Sequence, residues 1–158
     1  MHQQEKNRPK ACVVIPTYNE EDNIEKTLLQ VLEVKKTIKP YNLLILVVDD
    51  NSPDDTQTII KKLMELSDDI HMITGAKIGL GDAYTRGFSY ALEKWNPSLI
   101  IQMDADGQHD PCVIKKFITL AINGKELIIG SRFIEGSSTP NFSNWRRFIS
   151  LFGNFLVR

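Results

Sequence analysis

Asp104 and Asp106, separated by Ala105, are the two carboxylates in this sequence whose spacing points most directly to chemistry. They follow the apolar run Leu99–Met103, which predicts a buried strand. Two carboxylates held together in a partly dry cleft repel each other unless a positive charge lies between them. Oxygen ligands of this kind suit Mg²⁺ or Mn²⁺. The pair predicts a divalent-cation site at a strand end, and a solvated turn of helix-capping acids is the alternative.

Polar clusters also follow three other predicted strands. Asp50 offers a carboxylate for a ribose or a base, whereas capping of the following helix by Asp49 and Asp50 is the alternative, and Asn51, Ser52 and Asp54 are also suitable capping residues. Arg132 carries the forked guanidinium that grips a diphosphate through two hydrogen bonds, with a surface salt bridge as the alternative. The strands and their clusters are Ala11–Ile15 with Thr17–Glu20, Leu43–Val48 with Asp49–Ser52, and Leu127–Ile129 with Gly130–Arg132.

The elements between these clusters predict one sheet that brings the clusters together. Ile70–Thr74 is a further, weaker strand, and apolar residues recur at helical spacing in segments at about 20–32, 59–66, 83–95 and 111–122. Strands that alternate with helices form a mainly parallel sheet with helices on both faces. Ligands of such sheets bind beyond the carboxyl ends of the strands. The sequence therefore predicts an α/β three-layer sandwich with a ligand site at one sheet edge.

Length and composition limit the functional classes. The 158 residues are enough for one domain, and we expect residues 1–10 to be a flexible N-terminal segment before a domain over residues 11–158. A net charge of −1 gives no support for a nucleic-acid partner. Cys12 and Cys112 lack a second Cys or His at metal-ligand spacing, which predicts buried, reduced thiols and a reducing compartment such as the cytoplasm. The polar N-terminus does not have the pattern of a signal peptide.

Two further features predict packing or local hydrogen bonding rather than catalysis. Gly79–Ala83 is a glycine turn that opens a helix, but it lacks the Gly-Lys-Ser/Thr ending of a Walker loop. We expect its glycines to allow close packing of helix on sheet, with Lys77 as a candidate phosphate partner. His109 has no second His nearby for zinc, so a local hydrogen bond is expected. A Ser/His/Asp hydrolase is disfavoured because no Gly-x-Ser-x-Gly elbow follows a strand.

An apolar stripe at helical spacing lies close to the C-terminal end, with Arg146 and Arg147 beside it. This pattern suits a helix at a membrane surface near lipid phosphate. It suits equally a helix that packs on its own domain, and both interpretations stay open. The stripe consists of Trp145, Phe148, Ile149, Phe152, Phe155 and Leu156.

The strand-end clusters together resemble a known enzyme family. The residues Val14–Glu20, Val47–Ser52, Asp104–His109 and Gly130–Arg132 occur in the order and spacing of the family 2 inverting glycosyltransferases of the GT-A fold. Within that family they are most similar to dolichol-phosphate mannosyltransferases and related polyprenyl-phosphate glycosyltransferases, whose Gly-Leu-Gly segment resembles Lys77–Tyr84. The resemblance extends from about Ala11 to the end of the chain and implies the GT-A form of the α/β sandwich.

The resemblance implies a role for each matching residue. Asp104 and Asp106 would be catalytic and, together with Gln108, would hold the metal, Mg²⁺ or Mn²⁺. Arg132 would be catalytic through the donor phosphates or the arriving acceptor, and Arg146 would meet a lipid phosphate. The residues expected around the donor are Pro16, Tyr18, Glu20, Val48 and Asp50 at the nucleoside, and Ala105 and Gln108 at the diphosphate.

The resemblance also implies an activity, which is transfer of a hexose, expected to be mannose, from a nucleoside-diphosphate sugar (GDP-mannose or UDP-glucose) to a dolichyl or polyprenyl phosphate with inversion. It would occur at the cytoplasmic face of a membrane. An acceptor phosphate is already ionised, so no catalytic base is needed. Transfer to a sugar hydroxyl in cell-surface polysaccharide synthesis, a nucleotide-binding module without turnover and a plain α/β scaffold are the alternatives. Because members of the subgroup continue past this point, we expect the domain to be incomplete at its C-terminus.

Overall fold

A computed structural model of the protein describes residues 8–130. Within them, strands and helices alternate as the sequence predicts. The strands are β1 (Lys10–Thr17), β2 (Asn42–Asp49), β3 (Ile70–Thr74) and β4 (Leu99–Gln102). The helices are α1 (Ile24–Thr37), α2 (Thr56–Leu66), α3 (Leu80–Trp95) and α4 (Val113–Ile122).

The four strands form one parallel sheet in the order β3-β2-β1-β4. β1 does not end at Pro16, as the apolar run suggested, but continues to Thr17. The reason lies in the hydrogen bonds of the sheet. The backbone N–H and C=O groups of even-numbered residues of β1 point toward β4, and the Val14 carbonyl, for example, accepts a hydrogen bond from the Met103 amide. The β4 pairing stops at Val14, so the missing N–H of Pro16 falls where β1 has no partner on that side.

Helices cover both faces of the sheet, which confirms the three-layer arrangement. Side chains of β1 alternate between the faces: Val13 and Ile15 join a core with α1, α2 and α4, whereas Cys12 and Val14 join a core with α3. The two central strands, β1 and β2, are buried almost throughout because each face is packed against helices, whereas the outer strands β3 and β4 are only partly buried. Burial raises the pKa of the Cys12 thiol to about 12, so this cysteine behaves as the inert, reduced thiol that the sequence predicts.

One glycine sets how closely α3 approaches the sheet. A Cβ built at Gly87 would lie 2.5 Å from Val14 Cγ1 and 2.8 Å from Val48 Cγ2. The close-packing glycine is therefore Gly87, and the expectation for Gly79 and Gly81 is wrong, because a Cβ at either would meet nothing within 4 Å. Gly79 instead supplies a backbone conformation, φ 156° and ψ 165°, that side-chain-bearing residues avoid just before α3.

We expect Gly87→Ala to destabilise the fold by roughly 1–3 kcal/mol, since the added methyl overpacks against two buried valines. Gly81→Ala is the matched control in the same helix, where the added methyl has open space and helix propensity should raise stability by about 0.5–1 kcal/mol. Urea unfolding followed by circular dichroism measures both changes. Equal effects of the two substitutions would contradict the close packing at Gly87.

Several details differ from the sequence prediction. Residues 127–130 form no strand, and Leu127 is 80% exposed, because a run of three apolar residues gains no ladder partner in the described part of the chain. Leu66 is 81% exposed at the end of α2, and Cys112 is exposed rather than buried because it lies in the turn that precedes α4. Among residues 8–130, no helix is long and apolar enough to cross a membrane.

Candidate functional site

The carboxyl ends of β1 and β2 are joined by a buried carboxylate. Asp49 is fully buried and accepts hydrogen bonds from the Thr17 hydroxyl at 2.9 Å, the Ser52 amide and hydroxyl at 2.9 and 2.6 Å, and the Gln57 side-chain amide at 2.7 Å. The Ser52 hydroxyl in turn accepts from the Asn19 amide at 3.1 Å. Asp49 is therefore a structural acceptor that ties the two loops together, and it neither caps α2 nor faces a ligand.

The loop after β1 is held against the start of α2 by a second set of hydrogen bonds. The Glu20 amide donates to Thr56 Oγ1 at 2.9 Å, and Thr56 donates from both its amide and its hydroxyl to Asp54 Oδ1. The Glu20 carboxylate accepts from Asn23 Nδ2 at 3.0 Å. Asp54 thus satisfies the first turn of α2, as its residue type suggested, and the capping alternative for Asp49 and Asp50 is wrong.

Asp50 differs from its neighbour Asp49 in having a charged partner. It is 7% exposed, and its Oδ1 forms an ion pair with Nη2 of Arg86 on α3. Arg86 Nε also donates to Asp82 Oδ2 at 2.7 Å, and the hydrogen bonds to Asp82 and then to Asp50 raise the pKa of the guanidinium. Asp50 Oδ2 has no side-chain or backbone partner within residues 8–130 and is not sealed from solvent, so it is available to a ligand donor.

Asp104, the first carboxylate after β4, is fixed by two side chains. Tyr84 of α3 donates its hydroxyl hydrogen to Asp104 Oδ1 at 2.9 Å. Burial, together with this hydrogen bond, raises the pKa of Tyr84 well above its usual range, so the phenol stays a donor. The Asp104 amide donates to His109 Nδ1 at 3.0 Å, and His109 Nε2 lies 3.6 Å from Asp104 Oδ2. His109 therefore has the local hydrogen-bonding role that the sequence predicts.

Asp106, the second carboxylate, is exposed, and only its Oδ1 is engaged. That oxygen accepts from the Gln108 amide at 2.9 Å across a turn in which Gly107 has a φ of 71°. Between the two acids, Ala105 is buried and its carbonyl accepts from Thr27 of α1 at 3.1 Å. The turn is thus anchored to α1 through Ala105, while Asp106 Oδ2 and the Gln108 side chain remain directed at no partner in the described chain.

Helix α3 bridges the two halves of the edge. Tyr84 binds the end of β4 and Arg86 binds the end of β2, on either side of β1 in the sheet order. Residues two apart on a helix project in different directions, so one helix can serve both strands. The absence of a side chain at Gly87 allows α3 to pack closely against β1 and β2. The carboxylates Asp50 and Asp104 are consequently positioned by the same rigid element.

The oxygen ligands in the turn after β4 fit a divalent cation that binds together with a phosphate. Within residues 8–130, no group of three His, Cys, Asp or Glu side chains forms a closed metal cage. Asp104 and Asp106 supply two carboxylates, and Gln108 adds an amide oxygen within the same turn. Mg²⁺ commonly binds through one or two carboxylates plus substrate phosphates and water, and Mn²⁺ suits the same oxygen ligands. These residues therefore fit the metal as an open site.

The other expected nucleoside residues lie beside this edge. Pro16 and Val48 are register partners in β1 and β2, but the Val48 side chain is fully buried beneath α3, which leaves only its main chain for a ligand contact. Lys77 Nζ lies 3.2 Å from the centroid of the Tyr18 ring, a cation–π contact. Arg132 and Arg146 lie outside the described residues, as does the whole apolar C-terminal stripe.

A separate cavity of about 490 Å³ lies against the outer side of α1. Leu29 and Val34 line it together with Pro111 and Cys112 from the turn before α4. It contains none of the predicted site residues. The chemistry described above is therefore carried by the carboxyl edge of the sheet and not by this cavity.

Comparison with known sequences identifies the family. Residues 12–156 match the sequence profile described as Glycosyl transferase family 2. The chain belongs to this family. The match covers both strand-end carboxylate clusters, Asp49–Ser52 and Asp104–Asp106, so the family signature and the structural edge coincide.

Individual relatives agree with the family. The chain is 38% identical to a dolichol-phosphate mannosyltransferase of Pyrococcus furiosus, over 89% of this chain and 38% of that protein. It is 35% identical to a polyprenol monophosphomannose synthase of Mycolicibacterium smegmatis, over 89% of this chain and 51% of that protein. The chain thus spans between about two fifths and one half of the length of these curated relatives.

A solved structure supports the fold. S. aureus TarS in complex with UDP superposes with a TM-score of 0.57 at 23% identity, over 72% of this chain and 32% of that chain. At this identity the likeness concerns the fold alone. Together with the parallel sheet covered on both faces, it confirms the GT-A architecture that the sequence motifs imply.

The residues that orient the site were not predicted to do so. Thr17 belongs to a predicted strand-end cluster and Tyr84 to the Gly-Leu-Gly segment, but neither was assigned a carboxylate partner, and Arg86 belongs to no motif. Their partners lie 20 to 36 residues away in the chain. One feature of the sequence could have indicated Tyr84 and Arg86. The helix that directly precedes the acidic strand end carries hydroxyl and guanidinium groups, and carboxylates at that strand end need such donors as partners.

Proposed function

We propose that this chain carries the donor site and the catalytic turn of an inverting mannosyltransferase that transfers mannose from GDP-mannose to a polyprenyl phosphate. The observation that carries the proposal is the turn after β4, where Asp104 is oriented by Tyr84 and Asp106 keeps an exposed, unpartnered oxygen. This turn occurs in a chain whose relatives are named for mannose transfer to dolichol or polyprenol phosphates. Asp50, at the end of β2, provides the carboxylate for the nucleoside.

The donor would lie along the carboxyl edge of the sheet. Its nucleoside would contact Pro16, Tyr18, Glu20 and Asp50 around the ends of β1 and β2, together with the main chain of Val48. Its diphosphate would lie at the turn formed by Asp104, Ala105, Asp106 and Gln108. Support comes from sheet order, since β2, β1 and β4 are consecutive neighbours whose carboxyl ends share one edge. The turn of Asp106 is held independently of any ligand by the Thr27 contact, so the carboxylates are preorganised.

The reaction is a single displacement. A phosphate oxygen of the acceptor attacks the anomeric carbon of mannose and forms the new carbon–oxygen bond. The bond between that carbon and the diphosphate oxygen breaks, and GDP leaves with the electron pair, which inverts the configuration. Because the acceptor phosphate is ionised near neutral pH, the chain needs no general base. Its residues contribute by holding the acceptor phosphate in line with the bond between the anomeric carbon and the diphosphate.

Mg²⁺ or Mn²⁺ at the turn, when bound, supplies positive charge against the departing diphosphate. Asp104, Asp106 and the Gln108 amide oxygen would hold the cation, and Arg132 would contact the same phosphates or the acceptor. Arg146 would meet the lipid phosphate. The proposal includes action at the cytoplasmic face of a membrane, where a nucleoside-diphosphate donor meets a lipid acceptor.

The test is a transfer assay with the chain as it stands. GDP-[¹⁴C]mannose or UDP-[¹⁴C]glucose is incubated with Mn²⁺ and a short polyprenyl phosphate, and label is measured in the organic phase. We expect labelled lipid with GDP-mannose, none with EDTA, and an inverted anomeric centre by NMR. Methyl α-mannoside replaces the lipid in a parallel reaction.

The outcomes separate the alternatives. Label on the hydroxyl acceptor alone would contradict the lipid-phosphate acceptor and favour polysaccharide synthesis. GDP binding without release of mannose in any reaction would indicate a nucleotide-binding module. No binding of nucleotide or Mn²⁺ would leave a plain α/β scaffold and contradict the proposal as a whole.

A further inference from the structure

Arg86 is a cation of the site that the family motifs do not assign. It lies in the second turn of α3 and forms an ion pair with Asp50, while its Nε donates to Asp82 at 2.7 Å. Its third nitrogen, Nη1, is buried and has no hydrogen-bond partner among residues 8–130, an arrangement that costs free energy in a folded protein. The unsatisfied Nη1 makes Arg86 costly to the fold, so we ask what its ion pair with Asp50 contributes to the site.

The space for this guanidinium is provided by a glycine. A Cβ built at Gly75, directly after β3, would lie 2.2 Å from Arg86 Nη1 and 2.7 Å from Arg86 Cζ. The Gly75 amide donates to the Asp49 carbonyl at 3.0 Å, which holds this glycine beside the end of β2. Gly75 and Asp82 therefore confine Arg86 from two sides, and the guanidinium meets Asp50 through Nη2 alone.

The contact with Arg86 makes the two carboxylate oxygens of Asp50 different from each other. Oδ1 is occupied by Arg86, whereas Oδ2 has no partner among the described residues and is not completely sealed from solvent. Fixing one oxygen of a carboxylate restricts its rotation, so the other keeps a defined direction. A single point contact from Lys would hold the carboxylate less well than the forked guanidinium anchored on Asp82.

We propose that Arg86 is a positioning residue for nucleoside recognition, which holds Asp50 so that its free oxygen accepts a hydrogen bond from the donor nucleoside. This inference rests on the proposed function, and it adds that binding of the nucleoside depends on Arg86, Asp82 and Gly75. Binding of the diphosphate does not depend on them, because it belongs to Asp104 and Asp106 at the end of β4.

The experiment compares two probes, GDP and inorganic pyrophosphate, by calorimetry in Mn²⁺. Arg86→Met should weaken GDP binding by on the order of tenfold, the loss of one charge-assisted contact, and leave pyrophosphate binding unchanged. Gly75→Ala should do the same without touching any charged residue, since its methyl displaces the guanidinium, the flexible end of a side chain. Gly81→Ala is the control, because its methyl meets nothing within 4 Å.

A double-mutant cycle shows whether Arg86 acts through Asp50. In the Asp50→Asn background, Arg86→Met should weaken GDP binding by less than about twofold, because the carboxylate it positions is already gone. The inference is overturned if both variants bind GDP as the native chain does, if GDP and pyrophosphate weaken equally, or if the two losses multiply in the double variant. Should Arg86→Met fail to fold, Gly75→Ala decides alone. Failure of the native chain to bind GDP would instead overturn the proposed function.

Discussion

Asp106→Asn should lower the affinity of the chain for GDP in the presence of Mn²⁺ by roughly 100-fold, which is about 2.7 kcal/mol. Asp106 is exposed, and its Oδ2 has no partner in the described part of the chain, so it is the carboxylate freest to bind a cation. The amide retains an oxygen that can accept from the Gln108 amide, so the turn should persist. What is lost is the charge that a hard divalent cation requires.

The measurement is calorimetric titration of GDP with and without Mn²⁺. The native chain should bind GDP far more tightly with the metal, whereas Asp106→Asn should show nearly the same weak affinity in both conditions. Glu93→Gln is the matched control, since it removes the same charge from an exposed position near the end of α3, at the opposite edge of the sheet. A metal-dependent affinity that survives Asp106→Asn would exclude Asp106 as a ligand and leave the proposed metal site without its principal carboxylate.

The centre of the sheet could be predicted from the sequence because β1 and β2 are buried on both faces. Such strands are nearly continuous apolar runs, as in Leu43–Val48, and such runs stand out between amphipathic helices. The same logic failed at Leu127–Ile129, where a short apolar run is exposed and unpaired. Apolar sequence indicates a strand only when a neighbouring strand is present to accept its hydrogen bonds, and that condition is not written in the run itself.

The site was predictable in its acids and not in their partners. Asp50, Asp104 and Asp106 follow strands directly, so parallel topology alone brings them to one edge. Their orientation depends on Tyr84 and Arg86, which reach them across the sheet from α3. Those contacts follow from how closely α3 packs at Gly87, a three-dimensional distance that no local spacing in the sequence encodes.

The difference between Asp49 and Asp50 illustrates the same limit. The two adjacent acids look equivalent in the sequence, but successive side chains at a strand end point in opposite directions. Asp49 is directed into a network of neutral donors and Asp50 toward Arg86 on α3. One of them is therefore expected to matter chiefly for stability and the other chiefly for binding, and substitution can separate these roles.

Asp49→Ala should lower the free energy of unfolding by roughly 3–4 kcal/mol, a large effect for one residue. The carboxylate accepts four hydrogen bonds from Thr17, Ser52 and Gln57 while fully buried. Alanine leaves the Ser52 amide and the Gln57 amide without acceptors, and buried unsatisfied donors each cost about 1–3 kcal/mol. Urea unfolding with fluorescence detection measures the change, and Asp55→Asn, at an exposed position, should alter stability by no more than about 0.5 kcal/mol.

Asp49→Asn should lower the free energy of unfolding by less, about 1–2 kcal/mol, because some of the donors around Asp49 can become acceptors. Oδ2 accepts from the hydroxyls of Thr17 and Ser52, and a hydroxyl can rotate to accept instead of donate. The asparagine amide group can therefore occupy the Oδ2 position, while its oxygen continues to accept from the Ser52 and Gln57 amides at the Oδ1 position. If Asp49→Asn were as destabilising as Asp49→Ala, the negative charge itself, rather than the number of satisfied donors, would be what joins β1 to β2.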